Sequence, residues 1–147
     1  GANVKRLLKL CPQGKVYGMD LSEESVAFAR RHNAGELDRR CFIQQGDVCS
    51  LPYGDGAFDA VTAFETVYFW SSVSKALAEV FRVIRKGGCF LISLEASDPE
   101  LGKAWTERIK GMTVYGAEEL KQLLSQAGFS DIRVIQKKEE LHIVAHK

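Results

Sequence analysis

The chain has 147 residues, 46% of them apolar and 27% charged, the make-up of a soluble globular protein long enough to bury a core. Its 20 Lys and Arg nearly balance 19 Asp and Glu, so a net charge of +1 supplies no overall pull toward nucleic acid or an anionic membrane. No apolar run approaches a bilayer span, no secretory pattern opens the chain, and Cys11, Cys41, Cys49 and Cys89 form no close pair of the metal-knuckle or redox kind.

Residues 1–10 read as a helix with Val4, Leu7 and Leu8 on one face, stopped by Cys11, Pro12, Gln13 and Gly14. Val16 to Met19 then form a strand that delivers Asp20. Ser22 is a good N-cap, and Glu23 and Glu24 suit the positive end of the helix that follows, which ends near Asn33 to Gly35. A second strand covers residues 41–44 and ends at Gly46 and Asp47, and turn-rich residues 51–56 lead into a third over 58–64. Val73, Leu77, Val80, Phe81 and Ile84 repeat at helical spacing, with Gly87 and Gly88 expected to close that helix. Residues 89–94 read as a fourth buried strand. The stretch 95–115 reads as a connection with a short helix around 103–109, and a further helix spans 117–127 with Gly128 as its cap. Two last strands, 132–135 and 141–145, are so closely spaced that only an antiparallel hairpin joins them. The order is that of one three-layer α/β domain over residues 1–147.

The run Val16, Tyr17, Gly18, Met19, Asp20, Leu21, Ser22 organises the rest. A mostly apolar strand that ends in a carboxylate, with a helix start directly after it, places an acidic side chain on the rim of an open sheet, where it accepts hydrogen bonds from vicinal ribose hydroxyls. In doubly wound nucleotide-binding folds such a residue stands about 20 residues beyond a glycine-rich turn, and Gly1 is at about that distance. Taken alone, Asp20 also suits a plain cap for the helix after it.

Four stretches in this order resemble the class I S-adenosylmethionine-dependent methyltransferases, in the small-molecule methyltransferase-domain branch. They are the acidic strand end at 16–22, the corner Gln45-Gly46-Asp47-Val48 with Leu51-Pro52 and Phe58-Asp59-Ala60-Val61 behind it, the run from Glu79 to Gly88, and Gln126-Ala127-Gly128-Phe129 before the hairpin. The resemblance implies a Rossmann-like sheet, mostly parallel, with an antiparallel C-terminal strand. In the family another strand precedes the position of Gly1 and lies between the strands ending at Asp20 and Phe64, so the sheet is expected to lack it here.

The same resemblance implies S-adenosylmethionine as cofactor and S-adenosylhomocysteine as product, with a small molecule accepting the methyl group. Gly1 would let the backbone approach the cofactor, Asp20 would take the ribose hydroxyls and Leu21 would pack on the adenine. Asp47 would accept the adenine amino group, the Val48 backbone would meet a ring nitrogen, and Phe64 would line the methionine half through its backbone. Glu65 and Tyr68, just after the third strand, are candidate proton acceptors, set against a loop whose side chains merely pack. Neither nucleic acid, membrane nor metal is expected as a partner, and the setting is expected to be cytoplasmic with reduced thiols. His142 and His146 read as a surface pair, and Trp105, Met112 and Tyr115 as core packing more than as a substrate wall. Two other readings stand beside this one: a non-catalytic module of the same fold, and a nicotinamide or nucleotide-sugar enzyme, which would have a wholly parallel sheet.

Overall fold

In the computed structural model, which describes residues 1–147, helix α1 (Ala2–Leu10) turns back at Cys11 and Pro12 into strand β1 (Val16–Asp20). Strand β2 (Cys41–Gln45) pairs with β1 in parallel, from Val16 opposite Cys41 to Asp20 opposite Gln45. Between them runs α2 (Glu23–His32), whose N-cap Ser22 accepts the Ser25 N–H at 3.2 Å while Glu23 and Glu24 occupy its positive end. Leu8, Val16, Ala29, Cys41 and Ile43 are buried where the helices meet the strands, with Val4, Leu7, Val26 and Leu37 packed around them. A Cβ at Gly18 would stand 3.3 Å from Val4, so its absence lets α1 settle on β1. Asn33, 5% exposed, ties this unit together: its amide nitrogen donates to the carbonyls of Gly1 (3.1 Å) and Ala29 (2.9 Å).

These elements form one compact unit, Gly1–Val48, and the remaining residues a second, Cys49–Lys147. In the second, strand β3 (Phe58–Phe64) pairs in parallel with β4 (Ile84–Leu94). The C-terminal hairpin of β5 (Ser130–Lys137) and β6 (Glu140–His146) adds to it so that β6 lies antiparallel between β4 and β5, giving the order β3-β4-β6-β5. The close spacing of the last strands predicts their antiparallel pairing and the resemblance implies the antiparallel C-terminal strand, and the observed order excludes the wholly parallel sheet of the nicotinamide reading. Strands β1 and β2 make a two-stranded sheet of the first unit, and these four strands the sheet of the second.

Helix α3 (Val73–Val83) and α5 (Ala117–Gln126) pack on one face of the second sheet, with a short helix α4 (Lys103–Arg108) between them in sequence. Leu77, Val80, Ile84, Phe90, Ile92, Leu120, Leu124, Leu141 and Ile143 are essentially fully buried. Phe129 packs edge-on against Phe81, with ring centres 5.0 Å apart. Helix α5 ends as its sequence predicts: Gly128 takes φ +107°, its N–H bonds to the Ser125 carbonyl, and the Phe129 N–H bonds to that of Leu124. Lys147 caps α3, its ammonium 2.7 Å from the Phe81 carbonyl and 4.5 Å above that ring. No helix is long and apolar enough to cross a membrane.

Two expectations need correction. Gly87 and Gly88 do not close α3, which stops at Val83 because Ile84 already has extended backbone and pairs with Phe58. The ladder then resumes at Ala60 and Cys89, so residues 85–88 form an irregular excursion that the glycines make feasible. Trp105 does not pack in the core: it is 54% exposed, and the buried apolar side chain of that stretch is Val114.

The loop before β3 is clamped by one guanidinium. Arg82 donates to the carbonyls of Leu51 (3.0 Å) and Tyr53 (2.7 Å), to Asp55 (3.0 Å) and to both oxygens of Glu79, while Glu79 also accepts the Leu51 N–H at 2.8 Å. The Arg82 hydrogen bonds hold the Glu79 carboxyl down at about 2. A carboxyl with a lowered folded-state pKa stabilises the fold above its unfolded-state value and loses that contribution as pH falls toward the folded one. Glu79→Gln is therefore expected to flatten the fall in stability between about pH 4.5 and about pH 2, measured by urea unfolding across that range.

Candidate functional site

Parallel pairing places the ends of β1 and β2 side by side, and the residues singled out for the first half of the site collect there. Asp20 is exposed at the end of β1, directly opposite Gln45, and its main-chain carbonyl accepts the Gly46 N–H at 3.0 Å. One carboxylate oxygen accepts the Ser22 N–H at 2.9 Å, which fixes the side chain at the start of α2. Leu21, 57% exposed, is held by Gln45, whose side-chain amide donates to the Leu21 carbonyl at 2.9 Å. Gln45 was not anticipated as a site residue, and the signal lay in the strand register, which sets it across from Asp20. Asp47 and Val48 follow directly, both partly buried. At Gly46 a Cβ would stand 2.8 Å from the Met19 sulfur, so the glycine leaves room for Met19 to lie over the turn.

Gly1 is the N-cap of α1, and a Cβ there would stand 3.0 Å from the Ala29 Cα and 3.2 Å from the His32 Cβ. Packing against the last turn of α2 is thus a sufficient reason for glycine at this position.

In the second unit, Phe64 closes β3 opposite Ser93 and is partly buried. The next residue, Glu65, has φ +55°, a left-handed backbone that costs a non-glycine residue roughly 1–2 kcal/mol. Its carboxylate accepts the Glu95 N–H at 2.7 Å through one oxygen and the Tyr68 hydroxyl at 3.2 Å through the other. Tyr68 is 4% exposed, in a 3-10 turn over Val67–Phe69, and its hydroxyl oxygen also accepts the Ala96 N–H at 2.8 Å. Partial burial raises the Glu65 carboxyl above its usual range, although the Glu95 N–H and the Tyr68 hydroxyl pull the other way. Burial first, then the neighbouring Glu65 charge, pushes the Tyr68 hydroxyl up to about 12, so it stays protonated at neutral pH. His142 meets the Ser93 hydroxyl at 3.0 Å, and His146 lies 3.5 Å from the Asp131 carboxylate.

A family model described as a methyltransferase domain matches residues 1–92. The chain belongs to the methyltransferase domain family. A demethylmenaquinone methyltransferase of Symbiobacterium thermophilum is 37% identical over 92 residues, which cover 62% of this chain and 36% of that protein. The chain spans well under half the length of the first curated relatives it matches. Among solved structures, the YcgJ protein from Bacillus subtilis superposes with a TM-score of 0.77 at 26% identity, covering 90% of this chain and 59% of that one. PigF, solved with S-adenosylhomocysteine, gives a TM-score of 0.77 at 20% identity over all of this chain and 49% of its own, a likeness of fold.

The cofactor of this class of methyltransferase domain is S-adenosylmethionine, and the residues present suit its nucleoside. A ribose offers two hydroxyl donors, and the exposed Asp20 carboxylate spends one oxygen on Ser22 N–H while the other accepts nothing from the chain. An adenine offers a flat apolar face, and Leu21 beside Asp20 is more than half exposed.

Proposed function

We propose that the protein transfers the methyl group of S-adenosylmethionine to a small-molecule acceptor with an apolar body. The observation that carries this reading is the exposed Asp20 carboxylate, fixed by Ser22 at the end of a parallel strand in a chain of the methyltransferase domain family. In this reading Asp20 takes the ribose hydroxyls, Leu21 packs on the adenine, Asp47 accepts the adenine amino group and the Val48 N–H meets a ring nitrogen. Gly1 admits the cofactor to the backbone, and the Phe64 main chain lines its methionine half. Bound S-adenosylmethionine supplies an already activated methyl group, so the protein's work is to orient and to exclude water. Orientation of that kind lowers a barrier by roughly 7–11 kcal/mol.

Two features support an apolar acceptor. The demethylmenaquinone methyltransferase relative is named for a quinone substrate. Leu101, Trp105 and Ile109 are all exposed and recur every fourth residue in the connection that leaves the carboxyl end of β4, the end of an α/β sheet at which ligands collect. All four cysteines are thiols, with Cys41 and Cys49 buried, which fits the reducing cytoplasmic setting we propose. The test is incubation with S-adenosylmethionine labelled in its methyl carbon and a demethylmenaquinol, with a free fatty acid as a second acceptor. Label is expected in the quinol. No transfer to either, together with no heat on titrating the folded protein with S-adenosylhomocysteine, would favour the non-catalytic module.

A further inference from the structure

We propose that Glu65 and Tyr68 are positioning residues, which staple both ends of the connection after β4 to the turn after β3; the proposal rests on the cofactor reading above, because Phe64 is one of its contacts. The ladder between β3 and β4 runs one residue past Phe64, with the Glu65 N–H bonded to the Ser93 carbonyl at 3.0 Å. There the left-handed backbone of Glu65 turns its carboxylate back across the sheet edge, onto the first N–H beyond β4, that of Glu95. Tyr68 secures the next one, Ala96, through its hydroxyl. The Tyr68 carbonyl takes the Thr113 N–H at 2.8 Å. One four-residue turn therefore holds residues 95, 96 and 113, the two ends of a segment that carries Leu101, Trp105 and Ile109 on its surface.

The bonding also argues against a proton-accepting role. Both Glu65 oxygens are engaged, and the Tyr68 hydroxyl already donates once and accepts once. A proton placed on Glu65 would weaken the bonds its oxygens accept, and the Tyr68 hydroxyl still carries the proton it directs at Glu65. Holding the main chain requires keeping these bonds.

Three variants separate the roles. Glu65→Gln keeps an oxygen for the Glu95 N–H and turns the second contact round, its amide N–H donating to the Tyr68 hydroxyl oxygen; Glu65→Ala removes both contacts, and Tyr68→Phe removes the bonds to Glu65 and Ala96. Two quantities are read on each: hydrogen exchange at the Glu95 and Ala96 amides, and the affinity for S-adenosylhomocysteine by calorimetry. Glu65→Ala and Tyr68→Phe are expected to exchange at residues 95–96 about tenfold faster or more and to bind about tenfold more weakly, with Glu65→Gln within about twofold of the parent in both. Equal losses in Glu65→Gln and Glu65→Ala would overturn the proposal by showing that the charge itself is needed. Parent-like exchange in Glu65→Ala, or faster exchange with unchanged affinity, would overturn it as well. Tyr68→Phe decides the matter if Glu65→Ala does not fold. An unsubstituted protein that gives no heat with S-adenosylhomocysteine marks failure of the cofactor reading, and the positioning role falls with it, whereas the variant arms fail only the staple.

Discussion

Asp20→Ala is expected to weaken binding of S-adenosylhomocysteine by at least about 100-fold, or about 2.7 kcal/mol, because each hydrogen bond to a charged group is worth about 1.5–3 kcal/mol and a ribose offers two donors. The same change removes the bond to the Ser22 N–H, for a cost to folding of only about 1 kcal/mol, since Ser22 itself still caps α2. Asp20→Asn refines the result. Its amide oxygen can still accept from Ser22, but its nitrogen cannot accept from a ribose hydroxyl, so stability should stay at the parent value while affinity falls nearly as far as in Asp20→Ala. Calorimetric titration beside urea unfolding reads both quantities. If Asp20 only capped the helix, the pattern would reverse, with stability lost and affinity kept.

The second large effect is expected at Gly88. A Cβ built there would stand 2.6 Å from the Asp59 carbonyl oxygen, 2.6 Å from the Ile84 Cγ2 and 3.0 Å from the Arg85 carbonyl oxygen. Two of these three neighbours are main chain and cannot swing aside. Strand β4 would have to leave β3 just where their ladder resumes at Ala60 and Cys89, and β4 also carries β6 on its other edge. Gly88→Ala is therefore expected to cost about 3 kcal/mol or more in urea unfolding. Gly87→Ala makes the control: Gly87 has φ +79° but its Cβ would meet only the tip of Arg85 at 3.5 Å, so the expected cost is about 1 kcal/mol of backbone strain. Equal costs at the two positions would contradict the steric account.

Legibility in the sequence followed how local the determining interaction was. The strand that ends at Asp20 and the helix capped by Ser22 are set by neighbours within a few residues, and both were readable. The hairpin was readable because the few residues from Lys137 to Glu140 allow no other connection; in the structure the turn tightens to residues 138 and 139, with Lys138 at φ +57°. The end of α3 was not readable, because Val83 and Ile84 continue the helical spacing of apolar residues, and only pairing with Phe58 turns Ile84 into a strand. Gln45 under Leu21, and Glu65 on the Glu95 N–H, depend on which residues of two parallel strands stand opposite each other, and apolar patterning does not specify that register. Trp105 was misjudged because a large aromatic in an irregular stretch carries no periodicity to say which way it faces.

The most direct measurement is a crystal structure of the protein with S-adenosylhomocysteine. The account predicts the Asp20 carboxylate at hydrogen-bond distance, about 2.5–3.0 Å, from both ribose hydroxyls, with Leu21 against the adenine. A nucleoside bound elsewhere, or an Asp20 side chain that keeps to Ser22 alone and turns from the sugar, would contradict it.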